Sequence, residues 1–551
     1  IIILEDTDGD GRHDERIVFY DKLEYVSGIE VGFGGAWVMS IPNFYFIPDE
    51  DYDGVPDGEP KVLLDGFGTH ANAHNIANGF AWGPDGWLYG THGVTNWSLP
   101  GKPGTPKEER RRLEGGVWRY HPVRHEWESF AVGTTNPWGI DWNDYGHAFI
   151  CNCVNPHLFH VIQGAFYAPG RNRPTSRYAY ERIETIADHL HFSNTKTIRA
   201  GIGTPEEDLV GGGHAHCGTM VYLGDNWPDE YRGDVFMNNI HGRRINHDRL
   251  TRRDSGYAAS HAPDVVRSAD PWFVGVTLAY GPDGGVFVSD FSDTGECHHT
   301  RNTRKHTGRI FKITYGKPEP WKGDIGKLKN IELAKLQLHD NDWFVRHARR
   351  VLHERLDYSR KIWSPFSPDL EKNHAAWRGH RANWFHEADA ALKIQLSGHE
   401  SVPKRLRALW ALYVSEGIEA ADLIDLLRDS DEYVRSWAVQ LLMNDIRLTE
   451  AGVAMLTEMA RDEESPLVRL YLASAAQRVP VTMRAPLLKV LLARVEDAND
   501  PNLPLMYWYA AEPVVAADSK QAVQLLVACK IPKLRQFITR RMAVKQLSSG
   551  E

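Results

Sequence analysis

Cysteine is scarce: there are 5 in 551 residues, at positions 151, 153, 217, 297 and 529. Their odd number and irregular spacing exclude a complete disulfide framework within the chain. No Cys-x-x-Cys-His run is present, so no haem site of the c type is expected in this chain. No apolar stretch approaches the length of a membrane helix, and no transmembrane segment is expected. Long Lys/Arg runs are missing and the net charge is −10, which argues against a nucleic-acid surface. No signal peptide is visible. The chain opens on Ile1-Ile2-Ile3-Leu4-Glu5 as though in mid-strand, so it reads as a fragment whose lack of a leader says little about location.

The remainder is that of a globular protein, with 42% hydrophobic and 25% charged residues, and it is long enough for more than one domain. The 18 Trp and 48 Gly are many, and the glycines concentrate ahead of Pro320. From residue 1 to 316 short apolar runs are broken by Gly, Asp and Pro turns, an all-β texture. One hairpin turn recurs, as Trp82-Gly83-Pro84-Asp85-Gly86, Trp142-Asn143-Asp144-Tyr145-Gly146 and Tyr280-Gly281-Pro282-Asp283-Gly284. The step from Gly86 to Gly146 fits one blade of a propeller, and the step from Gly146 to Gly284 fits two or more blades with insertions. A propeller of about six blades would use the whole region.

Two acidic loops share one pattern. They are Asp6-x-Asp8-x-Asp10-Gly11-x-x-Asp14 and Asp49-x-Asp51-x-Asp53-Gly54-x-x-Asp57. Carboxylates at alternate positions, a Gly for the sharp turn and a fourth carboxylate suit Ca2+. The alternative is a solvated Asp/Gly turn. Calcium-type loops favour a periplasmic or extracellular location.

Histidines also cluster ahead of Pro320. His70, His74 and His92 flank one hairpin, His157 and His160 follow another, and Asp188-His189-Leu190-His191 and Gly213-His214-Ala215-His216-Cys217 alternate. Cys297-His298-His299 lies just beyond Asp290 and Asp293. On a strand, His214 and His216 would share a face. The leading catalytic candidates are His74, His214, His216 and His241, with Asn136, Asn239 and Arg243 as cofactor- or substrate-binding groups. Two His on one face could also supply metal ligands, with a third group from a neighbouring blade. Cys217 beside them reads as a buried inert thiol.

Tyr222-Leu223-Gly224-Asp225-x-Trp227-Pro228-Asp229-x-Tyr231-Arg232-Gly233-Asp234-Val235-Phe236 resembles a blade of the soluble quinoprotein glucose/sorbosone dehydrogenases. Leu278-x-Tyr280-Gly281-Pro282-Asp283-Gly284-x-Val286-Phe287-Val288-x-Asp290 is similar to another, and Asn136-Pro137-Trp138-Gly139 is similar to a turn of that family. At finer resolution the chain resembles bacterial membrane-bound dehydrogenases that join such a propeller to HEAT-type helices and often to a c-type cytochrome domain. The resemblance implies a six-bladed propeller that binds pyrroloquinoline quinone over its channel. It places the base near His74, taking a proton from a sugar or alcohol hydroxyl, with a cytochrome or other protein as electron acceptor. Thr135 and the run Phe273-Val274-Gly275-Val276 stand where that family carries basic residues.

After Gly316-Lys317-Pro318-Glu319-Pro320 amphipathic helical runs take over. Asp342-Trp343-Phe344-Val345-Arg346, Asp431-Glu432-Tyr433-Val434-Arg435 and Glu464-Ser465-Pro466-Leu467-Val468-Arg469 share the opening of a HEAT/armadillo-like helix, and their Arg is expected to meet an acidic residue of the neighbouring repeat. The expected division is a propeller over 1–316, a connector with a first helical repeat over 317–400, and helical repeats over 401–551. Segment 358–395 is less regular and reads as a connector or as a surface that docks on the propeller. Three functions are compatible with this reading. The first is an oxidoreductase of sugars or alcohols. The second is a non-catalytic glycan- or protein-binding propeller on a helical scaffold. The third is a metal-dependent hydrolase or lyase using the clustered histidines.

Overall fold

The computed structural model describes residues 1–69, 74–153, 156–168, 177–190, 203–292, 306–363, 370–445 and 449–548. Among them five antiparallel blades form, not the six that the length and the resemblance predicted. Blade 1 takes Val26–Val31, Gly35–Ser40, Asn43–Pro48 and Lys61–Leu64. Blade 2 takes Ala77–Trp82, Leu88–His92, Gly116–His121 and Glu126–Gly133. Blade 3 takes Pro137–Trp142, Ala148–Asn152 and Leu158–Val161. Blade 4 takes His216–Val221, Val235–Asn239, Arg244–Arg253 and Gly256–Arg267. Blade 5 takes Gly275–Tyr280, Val286–Asp290 and Arg309–Ile313. The chain that a sixth blade would need goes elsewhere. A separate hairpin, Ile2–Glu5 with Glu15–Val18, stands outside the blades. Residues 93–115 form an excursion inside blade 2, and the stretch from 168 to 215 separates blades 3 and 4 in sequence.

The first strands of the blades line up side by side, and each carries a bulge. In blades 1 to 4 that bulge falls at or beside Gly28, Gly79, Gly139 and Gly218. A Cβ on Gly139, at φ 101°, would lie 2.6 Å from the Thr219 amide nitrogen. One on Gly218, at φ 70°, would lie 2.4 Å from the Val276 carbonyl oxygen. Only glycine tolerates both the dihedral and the approach.

The recurrent turns join the first and second strands of blades 2, 3 and 5, so all open on one end of the propeller. That end is covered by helices in two rows. The inner row is Asp342–Trp363, Val402–Val414, Glu432–Asp445, Pro466–Arg478, Leu503–Ala517 and Pro532–Ser548. Helix starts are set locally: Ser465 accepts from the Val468 amide while Pro466 fills the first turn. Most of segment 358–395 is regular rather than irregular, because Leu370–Gly398 is one outer helix. Two of the three shared arginines meet acids further along the chain, Arg435 Nη2 reaching Glu463 at 2.8 Å and Arg469 Nη2 reaching Asp497 at 2.5 Å, whereas Arg346 pairs with Asp342 of its own helix and with Asp141 of the propeller.

The inner row grips the turns. Arg346 donates to Asp141 at 2.5 Å and to the Trp142 carbonyl at 3.1 Å. Arg407 donates to Asp144 at 2.8 Å, and Trp437 Nε1 to the Tyr145 carbonyl at 2.8 Å. Asn341 reaches Asp225 and the carbonyls of Gly281 and Pro282. One apolar core runs through the seam, with Trp87, Tyr89 and Trp142 on the propeller side and Trp410, Trp437 and Tyr471 on the helical side.

His147 and His160 lie in this seam, Nδ1 to Nε2 at 3.0 Å, with the Tyr471 hydroxyl 3.1 Å from His147 Nδ1. Burial, with Arg252 nearby, pushes His160 down to about 3, and burial with His160 beside it pushes His147 well below the usual imidazole range. Both are neutral in the fold, whereas the unfolded rings bind protons below about 6.5. Their contribution is therefore complete above that pH and is lost as pH falls toward 3. The denaturant midpoint should drop on going from pH 7 to 5, with a slope of about 1.4 kcal/mol per pH unit for each buried histidine. His160→Phe should reduce that slope. Separately, Gly218→Ala should cost roughly 2–4 kcal/mol in urea unfolding, whereas Ala at exposed Gly379, inside the helix Leu370–Gly398, should stabilise by about 0.5–1 kcal/mol.

Candidate metal centre

The other end of the propeller carries the loops that enter each first strand. At one register position, the end of each second strand, stand Ser40, His92, Asn152, Asn239 and Asp290. Four of them hold the loop entering their own blade. Ser40 donates to the Glu24 carbonyl and Asn152 Oδ1 accepts from the Asn136 amide at 2.6 Å. Asn239 Nδ2 donates to the Gly212 carbonyl at 3.0 Å, and Asp290 Oδ1 accepts from the Val274 amide at 2.8 Å. His92 instead bonds Ser98 Oγ at 2.7 Å.

Beside this rim, in the wedge between blades 3 and 4, four histidines surround a carboxylate. Segment 186–190 runs in the wedge, because the Ile186 amide donates to the Leu158 carbonyl of blade 3 and Ala187 bridges Ala259 of blade 4. This delivers His189 between His157, which precedes the third strand of blade 3, and Asp248, which pairs with His261 across blade 4. His216 opens the first strand of blade 4. Ring centroids are 3.7 Å apart for His157 and His189, 4.4 Å for His157 and His216, and 5.6 Å for His189 and His216. His189 Nε2 lies 2.8 Å from Asp248 Oδ1, with His157 and His261 each 3.7 Å from the same carboxylate.

The side chains of His157, His189 and Asp248 are 3, 1 and 0% exposed. His157 Nε2, His189 Nδ1 and His216 Nε2 nevertheless have no hydrogen-bond partner among the described residues. Buried polar atoms normally have one. One nitrogen from each of these three rings can be chosen so that all lie within 4.8 Å of one another. Burial, then neighbouring His189, pushes His157 down to about 4, and burial, then His157 and His189, pushes His216 well below the usual range. Both therefore offer neutral ring nitrogens at neutral pH. Burial opposes the charge of Asp248, but His189, His157 and His261 hold its carboxyl well below the usual range. An anionic Asp248 fixes His189 through Nε2 and leaves Nδ1 as the outward donor, which is how carboxylates orient metal-binding imidazoles.

The glycines before His214 make room for this arrangement. A Cβ on Gly211 would lie 2.4 Å from His261 Nδ1, and one on Gly213 would lie 2.5 Å from the Asn239 amide.

Of the residues singled out in the sequence, His216 enters the cluster and His214 does not. His214 packs on His241, with ring centroids 5.1 Å apart. The regular strand begins only at His216, so alternation does not extend back to 214. His74 and Asn136 are brought together: the His74 carbonyl accepts from Asn136 Nδ2 at 3.1 Å and from Trp138 Nε1 at 3.3 Å. Arg243, at φ 51°, holds Ser268 through its carbonyl. Cys217 is buried and donates to the Gly275 carbonyl at 3.4 Å. Asp248 and His261 were not anticipated. The available signal was a charged residue inside the strand Arg244–Arg253, a position that demands a partner. His70, His191, Asp293, Cys297, His298 and His299 lie outside the described residues.

The acidic loops lie away from this wedge. Asp6, Asp8 and Asp10 cluster, as do Asp49, Asp51 and Asp53. Asp14 accepts from the Thr7 amide at 3.0 Å, and Asp57 from the Glu50 amide at 2.6 Å. The fourth carboxylate thus braces the start of each loop.

Residues 1–317 match the model of a family described as "Domain of unknown function (DUF7133)". No curated protein matches the sequence. Among solved structures, a luciferin-regenerating enzyme is similar at 12% identity, over 55% of this chain and 81% of that one, with a TM-score of 0.31. An oxidoreductase described as a glucose dehydrogenase, from Thermus thermophilus, is similar at 15% identity over 53% of this chain and 97% of its own, with a TM-score of 0.30. A further glucose dehydrogenase is similar at 12% identity over 54% and 98%, with a TM-score of 0.28.

Asn239→Ala should loosen the loop before blade 4 and lower unfolding stability by about 1–3 kcal/mol. Hydrogen exchange should localise the change to residues 211–216.

Proposed function

The chain belongs to the DUF7133 family, and from that premise we propose that its propeller is a metal-dependent enzyme of the hydrolase or lyase class, centred on His157, His189 and His216. The observation that carries the reading is the convergence of three buried imidazoles, each with one ring nitrogen that has no hydrogen-bond partner among the described residues, that of His157 facing Asp248 at 3.7 Å. Imidazole donors suit zinc, copper, iron and nickel. Three protein ligands with a carboxylate behind one of them is the donor pattern of a catalytic zinc-type site rather than a closed structural one. A cation there would supply Lewis-acid polarisation and an activated water. The chain's own residues supply the rest. Asp248 orients His189, and Asn136 Oδ1 and both amide atoms of Asn238 are buried without partners among the described residues near the same rim. Such groups favour a polar, hydroxyl-bearing small molecule.

The sugar or alcohol dehydrogenase reading calls for pyrroloquinoline quinone, whose carboxylates require cations. Arg244 is committed to Asp208 and Asp264, and Arg309 to Asp270 and Asp290. Thr135 and Phe273–Val276 add no charge. These residues do not fit the quinone, and no step is drawn through it.

The test is elemental analysis of purified protein after reconstitution with zinc, iron, copper or nickel. One equivalent of one of these per chain is expected. His157→Ala and His216→Ala should each lower occupancy at least about tenfold, with unchanged circular dichroism, while His74→Ala retains the metal. Failure to load any of the four, or full loading of the His157/His216 double variant, removes the reading.

A further inference from the structure

We propose that the Asp49–Asp57 loop is a calcium site and that the matching Asp6–Asp14 loop is not, so that the propeller takes one calcium ion per chain through these two motifs. The loops are in register residue for residue, and in both the second and third carboxylates accept from the amides two residues on, yet the burial of the first carboxylate differs. In the first, every carboxylate is exposed and turned onto its own backbone. Asp6 accepts from the Gly9 amide at 2.8 Å and the Gly11 amide at 2.9 Å, and Asp8 and Asp10 accept from the amides two residues on. Such a turn is complete in water.

In the second, Asp49 is 7% exposed and its Oδ1 is buried without a hydrogen-bond partner among the described residues. One carboxylate oxygen from each of Asp49, Asp51 and Asp53 can be chosen so that all lie within 4.8 Å of one another. A buried acceptor facing two further anions is costly alone. A hard cation with oxygen ligands removes the cost. Asp49, Asp51 and Asp53 occupy the first, third and fifth positions of the loop, Gly54 makes the turn, and Val55 at the seventh would add its carbonyl. Zinc-type metals prefer the imidazoles of the wedge, so the two sites differ in chemistry as well as place.

The buried loop also touches more of the fold. Gly54 sits against Ile3 of the N-terminal hairpin. Tyr52 Oη accepts from the Gly34 amide at 3.0 Å, and the adjacent Phe33 amide donates to Glu354 of the first inner-row helix at 2.9 Å. Calcium in this loop would therefore steady the seam between blade 1 and the helices.

Chelator-stripped full-length protein titrated with calcium chloride by calorimetry should bind one equivalent. Terbium should bind with the same stoichiometry and be sensitised by Tyr52. Asp51→Asn with Asp53→Asn, at exposed positions, should weaken binding at least about tenfold while leaving the calcium-free circular dichroism unchanged. Asp8→Asn with Asp10→Asn should leave affinity and stoichiometry intact. No calcium binding, two equivalents of which one is lost in the Asp8/Asp10 variant, or undiminished binding in the Asp51/Asp53 variant would each overturn the proposal.

Discussion

The close approach of neighbouring first strands sets the geometry of the whole molecule. Blades 3, 4 and 5 meet where Gly139 lies on Thr219 and Gly218 lies on Val276. Side chains there would spread the blades, and a propeller spread at its axis would splay both ends. The blades are tapered wedges, so their outer strands diverge. Between blades 3 and 4 that divergence opens the gap in which segment 186–190 runs and His189 is placed. The histidine cluster is thus a by-product of tight packing at the axis and loose packing at the rim.

The two ends of the propeller are used differently. One presents Asp/Gly turns, and arginines of the inner helix row hold them through carboxylates and carbonyls. The other presents loops braced by the ends of the second strands. Helical cover on one end leaves polar chemistry to the other, and the centre between blades 3 and 4 faces away from the arginine-rich seam. This separation keeps guanidinium groups from competing for the Asp248 carboxylate, which instead orients an imidazole.

The architecture was legible where the signal was local. Strand texture, recurrent turns and the change to helices after Pro320 follow from residue patterns, and the arginines of the helical openings found acidic partners. Blade number was not legible, because a stretch such as 93–115 or 168–215 has the composition of loops and strands alike. The site was half legible. His216 stood out, yet its companions His157, His189 and Asp248 are scattered well before and after it in sequence, and only the packing of a loop between two blades brings them together. His214 packs on His241, outside the cluster, and the regular strand starts only at His216. Asn239 was read as a binding group because polar residues at strand ends suggest a site. In the structure it braces a loop, and the shared register of Ser40, Asn152, Asn239 and Asp290 shows this role only once the pairing is known.

Those braces carry a consequence for how the molecule can change. Each of the four ties the incoming loop to the second strand of the blade it enters, not to the blade it leaves. A loop and its blade are therefore one mechanical cassette, anchored at both sides of a single strand turn. Change at one brace need not propagate around the ring, although bonds between blades, such as Asn136 to the His74 carbonyl, couple neighbouring loops. The rim of such a propeller can be rewritten one sector at a time, and the five sectors of a single chain are free to hold unrelated chemistry.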